Sequence, residues 1–236
     1  MPRSLVPAIL TAILAGLWCR PAAALPDCAG RIEIGHARVV RVEKNGVLVL
    51  SDGRAVLLEG IRLPQGAADH APGTFADEAL SVLRGLAMAA PLDLASTPPK
   101  EDRYDRIRVQ AFGPAGRKGD NIWLQVALLE KGLARVAIAP DRQECFPELY
   151  GAEQRARAAG AGLWGSPAYR IRDAALVGLD DAGSFQIVEG VVRRADARPG
   201  RATLYFGGDT GRGFAAIIAP EDRKAEGVVL GLSVAH

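Results

Sequence analysis

The chain has 236 residues, of which 49% are hydrophobic and 24% are charged, and its 27 Gly and 15 Pro are spread along its length. This composition excludes collagen-like, coiled-coil and wholly disordered proteins. A chain of this length buries a core without a metal or a dense disulfide framework. The composition therefore predicts a globular protein with one large or two small domains.

The first 24 residues have the features of a secretory signal peptide. Arg3 gives a positive start, an apolar run extends over residues 5–18, and three alanines at residues 22–24 form a small-residue cleavage site. The run is shorter than the roughly 20 apolar residues of a membrane span, and no later segment comes close. We therefore predict an exported protein, periplasmic or secreted, without a membrane span.

Removal of residues 1–24 would change the charge and the cysteine content. The loss of Arg3 and Arg20 lowers Lys+Arg from 29 to 27, which balances the 27 Asp+Glu, so attraction to phosphates requires a local cluster. Cys28 and Cys145 would remain, and two thiols in an oxidising compartment favour one disulfide. Such a bridge closes a loop of order 100 residues and stabilises by about 4–5 kcal/mol. Two unpaired buried thiols are the alternative.

Strand-like runs come first in the chain. Residues 36–42, 47–50 and 54–61 are rich in Val and Leu and are separated by the turn sequences Asn45-Gly46 and Ser51-Asp52-Gly53. They predict an antiparallel meander.

A helix, two strands and two helices follow in the predicted order. Apolar residues at helical spacing predict a helix over residues 74–87, and strands are predicted at 92–95 and 106–112. We predict a buried helix over 122–131, capped by Asn121. The last helix begins near Pro147 and ends at Gly160. Five short strands with a helix after the third are typical of an OB-type barrel.

The hydrophobic pattern of the sequence changes after residue 167. Short apolar or alternating runs occupy residues 185–192, 202–206, 214–219 and 228–234. We predict three parts: the signal peptide at 1–24, the OB-type domain at 25–168, and a small β-rich domain at 169–236. The last part has too few residues for more than marginal stability alone.

Six motifs follow one another over about 130 residues. They are VEKNGVLVLSDG (42–53), VLLEGIRLPQ (56–65), Glu78-Ala79 in the predicted helix, DRYDR (102–106), LLEKGLARV (128–136) and a final helix ending in AGLW (148–164). Together they resemble the thermonuclease family, the staphylococcal-nuclease-like domains. The resemblance implies an α+β fold, mainly β, in which helices pack on an OB barrel. The segment 183–219 is similar to the C-terminal extension of some exported bacterial members.

The resemblance also implies a set of site positions. Active members cleave phosphodiesters with carboxylate-bound calcium, two phosphate-binding arginines and a glutamate base. The two calcium aspartates correspond to Gly46 and Arg62, the first arginine to Leu57, and the glutamate to Gln65. Arg106 is the retained family arginine. The resemblance thus implies a pseudoenzyme, impaired or inactive in catalysis, with no metal or other cofactor.

Three functions stay open from the sequence. The leading one is a non-catalytic module that binds single-stranded nucleic acid or another anionic polymer, with Arg62 and Arg106 as anion-binding residues. The alternative is a secreted, calcium-dependent phosphodiesterase whose metal ligands are relocated to Glu43, Asp52 or Glu59. The third is a structural accessory protein of the envelope, because fold alone does not fix function.

A purely structural role for the two arginines is a separate alternative to anion binding. In that interpretation, they pair with acids on a solvated surface, and the candidate partners are Glu59, Asp102 and Asp105.

Overall fold

The computed structural model describes residues 25–98, 100–114, 121–139, 142–198, 201–206 and 213–218. The predicted signal peptide at 1–24 and the predicted strand at 228–234 lie outside the described residues. Within the described ranges, no helix has the length and apolar character needed to cross a bilayer.

The elements of the first part of the chain surround one core. The strands are β1 (Arg31–Ala37), β2 (Val39–Val42), β3 (Leu48–Leu50), β4 (Ala55–Leu58), β5 (Ile61–Arg62), β6 (Leu92–Ser96), β7 (Ile107–Gly113), β8 (Ile122–Trp123) and β9 (Arg135–Val136). The helices are α1 (Thr74–Met88), α2 (Leu124–Glu130) and α3 (Phe146–Ala158). The second part contains β10 (Arg172–Asp173), β11 (Val188–Glu189), β12 (Arg194–Arg198), β13 (Arg201–Tyr205) and β14 (Ala215–Ile218).

The main sheet has the strand order of an OB fold. Its order is β1-β6-β7-β4-β3-β2, and β8 pairs with β7. β1 and β2 stand at opposite ends of this order, although only Arg38 separates them in the chain. The first and last strands of the order are therefore two halves of one nearly continuous segment. Register shifts in β1 between Ile32 and Ala37 are irregularities of the kind that lets a strand bend. The predicted α+β, OB-type fold class is confirmed.

The helices bury apolar stripes against this sheet. α1 buries Leu80 and Leu83, and α3 buries Leu149 and Ala152. α2, which packs on both helices and on β7, buries Leu124, Leu128 and Leu129. Each fully buried leucine stabilises the fold by about 1.5–3 kcal/mol relative to an exposed one.

The predicted disulfide is present. Cys28 lies in a 3₁₀ turn before β1, and Cys145 directly precedes α3. The Cα atoms of the two bridged residues are 5.0 Å apart, and 117 positions separate them in the sequence. The bridge therefore ties the beginning of the OB-type sheet to the last long helix.

Several element boundaries differ from the sequence prediction. The strand predicted at 36–42 is divided between β1, which already begins at Arg31, and β2. The strand predicted at 54–61 is divided between β4 and β5, and α2 begins at Leu124 rather than at 122. Trp123 lies in β8, opposite Phe112 with ring centroids 5.6 Å apart, and its Nε1 donates to Gln110 Oε1 at 3.0 Å. This cross-strand pairing outweighs helix continuation, so Asn121 is not the helix cap.

The C-terminal part contains β structure of two kinds. β12, β13 and β14 form an antiparallel three-stranded sheet, and β10 pairs in parallel with β11. The predicted strand at 185–192 is largely wrong, because only Val188–Glu189 is a strand there. The domain boundary at residues 168–169 stays a prediction.

Candidate functional site

One cavity brings together all five positions that the sequence singled out. Gly46, Leu57, Arg62, Gln65 and Arg106 line a cavity of about 370 Å³. The strand order explains this arrangement, because parallel pairing of β4 with β7 places the start of β7 beside β4. The remaining lining residues are Asn45, Leu58, Ile61, Leu63, Ala137 and Phe185.

Gly46 occupies a backbone conformation that strongly favours glycine. Its φ is +85°, and a Cβ built on it would lie 2.8 Å from Leu63 Cδ1. An aspartate at this position would therefore strain the turn and displace Leu63.

Arg62 is held in place by polar neighbours on its own side of the cavity. Its Nη2 donates to Gln65 Oε1 at 3.0 Å and lies 3.6 Å from Asp69 Oδ1. Its Nε is buried and has no hydrogen-bond partner among the described residues. Arg62 thus pairs with Asp69, and Glu59, which the sequence had suggested as a partner, pairs elsewhere.

Arg106 forms a close ion pair with Asp102. Its Nη2 and Nε lie 2.6 and 2.8 Å from Asp102 Oδ2, and its guanidinium also lies 4.9 Å from the centre of the Tyr104 ring. Asp102 accepts backbone N–H bonds from Tyr104 and Arg106 as well. Burial raises the pKa of Asp102, but the hydrogen bonds from Arg106 and the two backbone groups outweigh it, so the pKa is lowered overall.

A buried ion pair supports the cavity from behind. Asp69 has a fully buried side chain, and its Oδ2 lies 2.9 Å from Nη2 of the equally buried Arg135. Oδ2 also accepts from the backbone N–H of Gln65 at 2.9 Å. The guanidinium of Arg135 lies 5.0 Å from the centre of the Tyr169 ring and 4.7 Å from that of Phe185. Arg135 Nη1 donates to the Phe185 carbonyl at 2.8 Å.

The environment of this pair changes two pKa values. Burial raises the pKa of Tyr169 to about 12, and the nearby charge of Asp69 adds to the effect. Burial lowers the pKa of Arg135, although a guanidinium stays charged in proteins. Sequence patterns do not single out Asp69, Arg135, Tyr169 or Phe185 as site residues. The one local signal was a charged Arg135 within the otherwise apolar run at residues 133–138.

Two of the acids considered as relocated metal ligands form surface ion pairs. Glu43 lies 3.3 Å from Arg41 Nη2, and Asp52 accepts from Arg54 Nε at 2.8 Å. The hydrogen bond from Arg54 lowers the pKa of Asp52. Neither acid lines the cavity.

Glu59, the third such acid, is buried against arginines. Its Oε2 accepts from Nη2 of the buried Arg142, and its Oε1 lies 3.9 Å from Arg108 Nε. Burial raises the pKa of this carboxyl despite the two cations. Glu59 therefore belongs to a buried ion-pair network and does not line the cavity.

The residues around the cavity do not fit calcium. Ca²⁺ takes six to eight oxygen ligands, mainly carboxylates, carbonyls and water. Among the described residues the cavity lining includes no carboxylate, and its oxygen-bearing side chains are the amides of Asn45 and Gln65. No group of three or more His, Cys, Asp or Glu in the described part of the chain is placed to hold a metal.

The fold and the lining define a class, an OB-type α+β domain with a cavity next to the parallel strand pair. Residues 55–166 match the family model of staphylococcal nuclease homologues. The chain therefore contains a thermonuclease-like domain. The match covers Leu57, Arg62, Gln65 and Arg106, whereas Phe185 lies beyond it. No curated protein matches the chain.

Proposed function

We propose that this thermonuclease-like protein is exported and binds an anionic ligand without calcium and without cleaving it. The ligand class is single-stranded nucleic acid or another anionic polymer. One observation carries the proposal: the cavity presents Arg62 and Arg106 and no carboxylate among its described lining residues. Guanidinium groups match phosphate geometry and form strong charge-assisted hydrogen bonds.

The neighbouring acids contact the two arginines without lining the cavity. Asp69 and Asp102 each contact one of them, and neither acid lines the cavity. The Nε of Arg62 is buried, but the side chain as a whole is 32% exposed and lines the cavity, so a ligand can reach its guanidinium. A cation at this place repels Ca²⁺ by a few kcal/mol at an effective dielectric constant of about 20, and the same field attracts an anion.

The absence of cleavage follows from the same residues. Gln65, at the position of the family base, carries a neutral amide that is a poor proton acceptor. Glu43, Asp52 and Glu59 are engaged by arginines, which weighs against relocated calcium ligands. We therefore expect no calcium-dependent nuclease activity.

The test uses the purified mature protein and fluorescein-labelled single-stranded DNA and RNA 16-mers, with calcium or with EDTA. We expect no digestion, binding that EDTA leaves unchanged, and an affinity that falls with salt. Arg62→Ala and Arg106→Ala should each weaken binding about tenfold and reduce the salt slope by about 0.7. Arg54→Ala is the matched control, because Arg54 pairs with Asp52 away from the cavity.

Two results would contradict the proposal. Calcium-dependent digestion that Arg106→Ala abolishes would support the phosphodiesterase. No binding at low salt would leave the structural accessory role. Export is tested separately by mass spectrometry of the protein recovered outside the cytoplasm, which should lack residues 1–24.

A further inference from the structure

One wall of the cavity comes from outside the matched domain. Phe185 lines the cavity and lies beyond residue 166, where the family match ends. Its carbonyl accepts from the buried Arg135, and its ring centre lies 5.2 Å from the Arg62 guanidinium carbon. The C-terminal segment is thus fixed against the arginine that we propose as an anion ligand.

Further contacts hold the same segment in place. The carbonyl of Asp180 lies 2.6 Å from His70 Nδ1, and His70 directly follows the 3₁₀ helix that contains Asp69. Arg172 Nε lies 3.1 Å from Asp181 Oδ1, and β10 pairs with β11 just after Phe185. These contacts hold the chain both before and after Phe185, so its ring is a fixed part of the cavity wall.

The wall gives the cavity a mixed lining. Two guanidiniums and the Gln65 amide face the same space as the apolar side chains of Leu57 and Ile61 and the ring of Phe185. A simple anion such as phosphate contacts the polar groups alone and leaves the apolar surface of the cavity exposed to water. A ligand that fills the cavity carries an anionic group and an apolar body.

The cavity volume suits a small ligand. Small-molecule pockets span about 300–1,000 Å³, and 370 Å³ lies near the lower limit. OB domains that bind single strands contact about 4–16 nucleotides, which needs a much longer surface. The cavity therefore matches one unit, either a free small molecule or the end of a strand.

We infer that the cavity takes a single phosphate monoester carried on one flat, apolar group, and that Phe185 is the residue that selects the flat group. The inference rests on the proposed anion binding by Arg62 and Arg106. Phe185 contributes apolar contact, so its removal should lower the affinity for a ligand with the flat group more than the affinity for phosphate itself.

Calorimetric titration of the mature protein with phenyl phosphate and with inorganic phosphate tests the inference directly. We expect phenyl phosphate to bind about tenfold or more tightly, in line with burial of an aromatic ring. Phe185→Leu, which keeps an apolar side chain over Arg135, should lower the ratio of phenyl phosphate affinity to phosphate affinity toward one. Tyr205→Leu is the matched control, because Tyr205 also packs on an arginine, Arg194 at 4.0 Å, but does not line the cavity.

A second arm distinguishes the source of the phosphate monoester. If the ligand is a strand end, dT16 with a 5′-phosphate should bind more tightly than dT16 with a 5′-hydroxyl. Equal binding of the two oligonucleotides, together with tight binding of phenyl phosphate, would point to a free small molecule.

The outcomes separate this inference from the proposed function. Equal binding of phenyl phosphate and inorganic phosphate by the wild type would overturn the inference and leave anion binding intact, and this comparison needs no variant. Affinity that rises steadily from dT4 to dT16 regardless of the end group would likewise overturn it in favour of a continuous groove. Failure of all these anions to bind at low salt would overturn the proposed function itself.

Discussion

The thermonuclease-like domain and the C-terminal segment are held in different ways. Nearly all buried apolar side chains lie between Ala29 and Leu163, and beyond Tyr169 the described buried apolar residues are Ala174 and Leu204. Leu179 in the segment is 92% exposed. The domain is stabilised by a packed core, whereas the described part of the segment contacts the domain through a few polar and aromatic groups. Such a segment can be altered to reshape a cavity at little cost to the core.

Arg135 is where the two regions meet. It belongs to β9 of the domain and pairs with Asp69 on that side, while Tyr169 and Phe185 cover it from the C-terminal side. Removing one partner of a buried ion pair is costly, because the remaining charge is buried with neither a counter-charge nor water around it. This position therefore couples the order of the segment to the stability of the domain.

The largest expected effect is on the domain alone. Replacing both Cys28 and Cys145 by Ser removes a bridge that spans 117 positions, and we expect the free energy of unfolding to fall by about 5 kcal/mol in the chain-entropy model. Denaturant unfolding followed by tryptophan fluorescence measures it, with the oxidised wild type as reference. A loss below about 1 kcal/mol, or two titratable thiols in the native wild type, would show that the bridge does not stabilise the domain.

A somewhat smaller effect is expected where the two regions meet. Arg135→Met leaves Asp69 buried without its closest cation and should cost about 3–4 kcal/mol, toward the lower end for buried pairs because Arg62 stays 3.6 Å away. The same variant should speed proteolysis near Leu176 and Leu179. Adding Asp69→Asn to Arg135→Met removes the orphaned charge and should restore part of the stability. If the double variant is no more stable than the single one, the cost does not come from the buried charge.

Two truncated chains sharpen the comparison further. We expect residues 25–189 to unfold within about 1 kcal/mol of residues 25–236, because β12–β14 contribute few buried contacts. Residues 25–169 lack Phe185 and should lose a further 1–3 kcal/mol or so, since Arg135 Nη1 then loses its carbonyl acceptor. Chemical denaturation of the three chains in parallel gives both differences. Equal stability of the two truncated chains would mean that Phe185 adds nothing to the domain.

Local patterns and the family resemblance account for the domain but not for the whole cavity. Hydrophobic period and turn residues predicted the strands around residues 39–58 and helix α1, because these elements follow from neighbouring residues. The resemblance identified the five cavity positions from Gly46 to Arg106. The structure places these five positions around one cavity, because parallel pairing brings the start of β7 beside β4. Their roles stay predictions.

The residues that were missed all depend on contacts between distant parts of the chain. Phe185 is 50 positions from Arg135 and 123 from Arg62, and no local pattern indicates that it faces either one. Asp69 ends a short 3₁₀ helix, and its burial follows from Arg135 of β9 and Tyr169, which pack against it. Sequence patterns report the element and its face, whereas the cavity wall depends on where the C-terminal segment folds back.

The smallest expected effect concerns Arg106, which belongs to the domain and needs nothing from the C-terminal segment. Asp102→Asn keeps an oxygen that accepts the backbone N–H groups of Tyr104 and Arg106 but removes the charge that pairs with the Arg106 guanidinium. We expect a loss of stability below about 1 kcal/mol and a gain of about twofold to fivefold in anion affinity at low salt, because a pair that is still partly open to solvent is weak and the freed guanidinium binds the ligand instead. The pKa of Asp102 is lowered in the folded state, so the stability from the pair is present above pH 4 and is lost as the pH falls through the folded pKa. Asp102→Asn should lack that loss of stability at acid pH. Unfolding of the wild type and the variant at a series of pH values measures the difference. Asp52→Asn is the control, because it removes an ion pair away from the cavity. An unchanged or lower anion affinity in Asp102→Asn would show that Asp102 positions Arg106 for the ligand rather than competing with it.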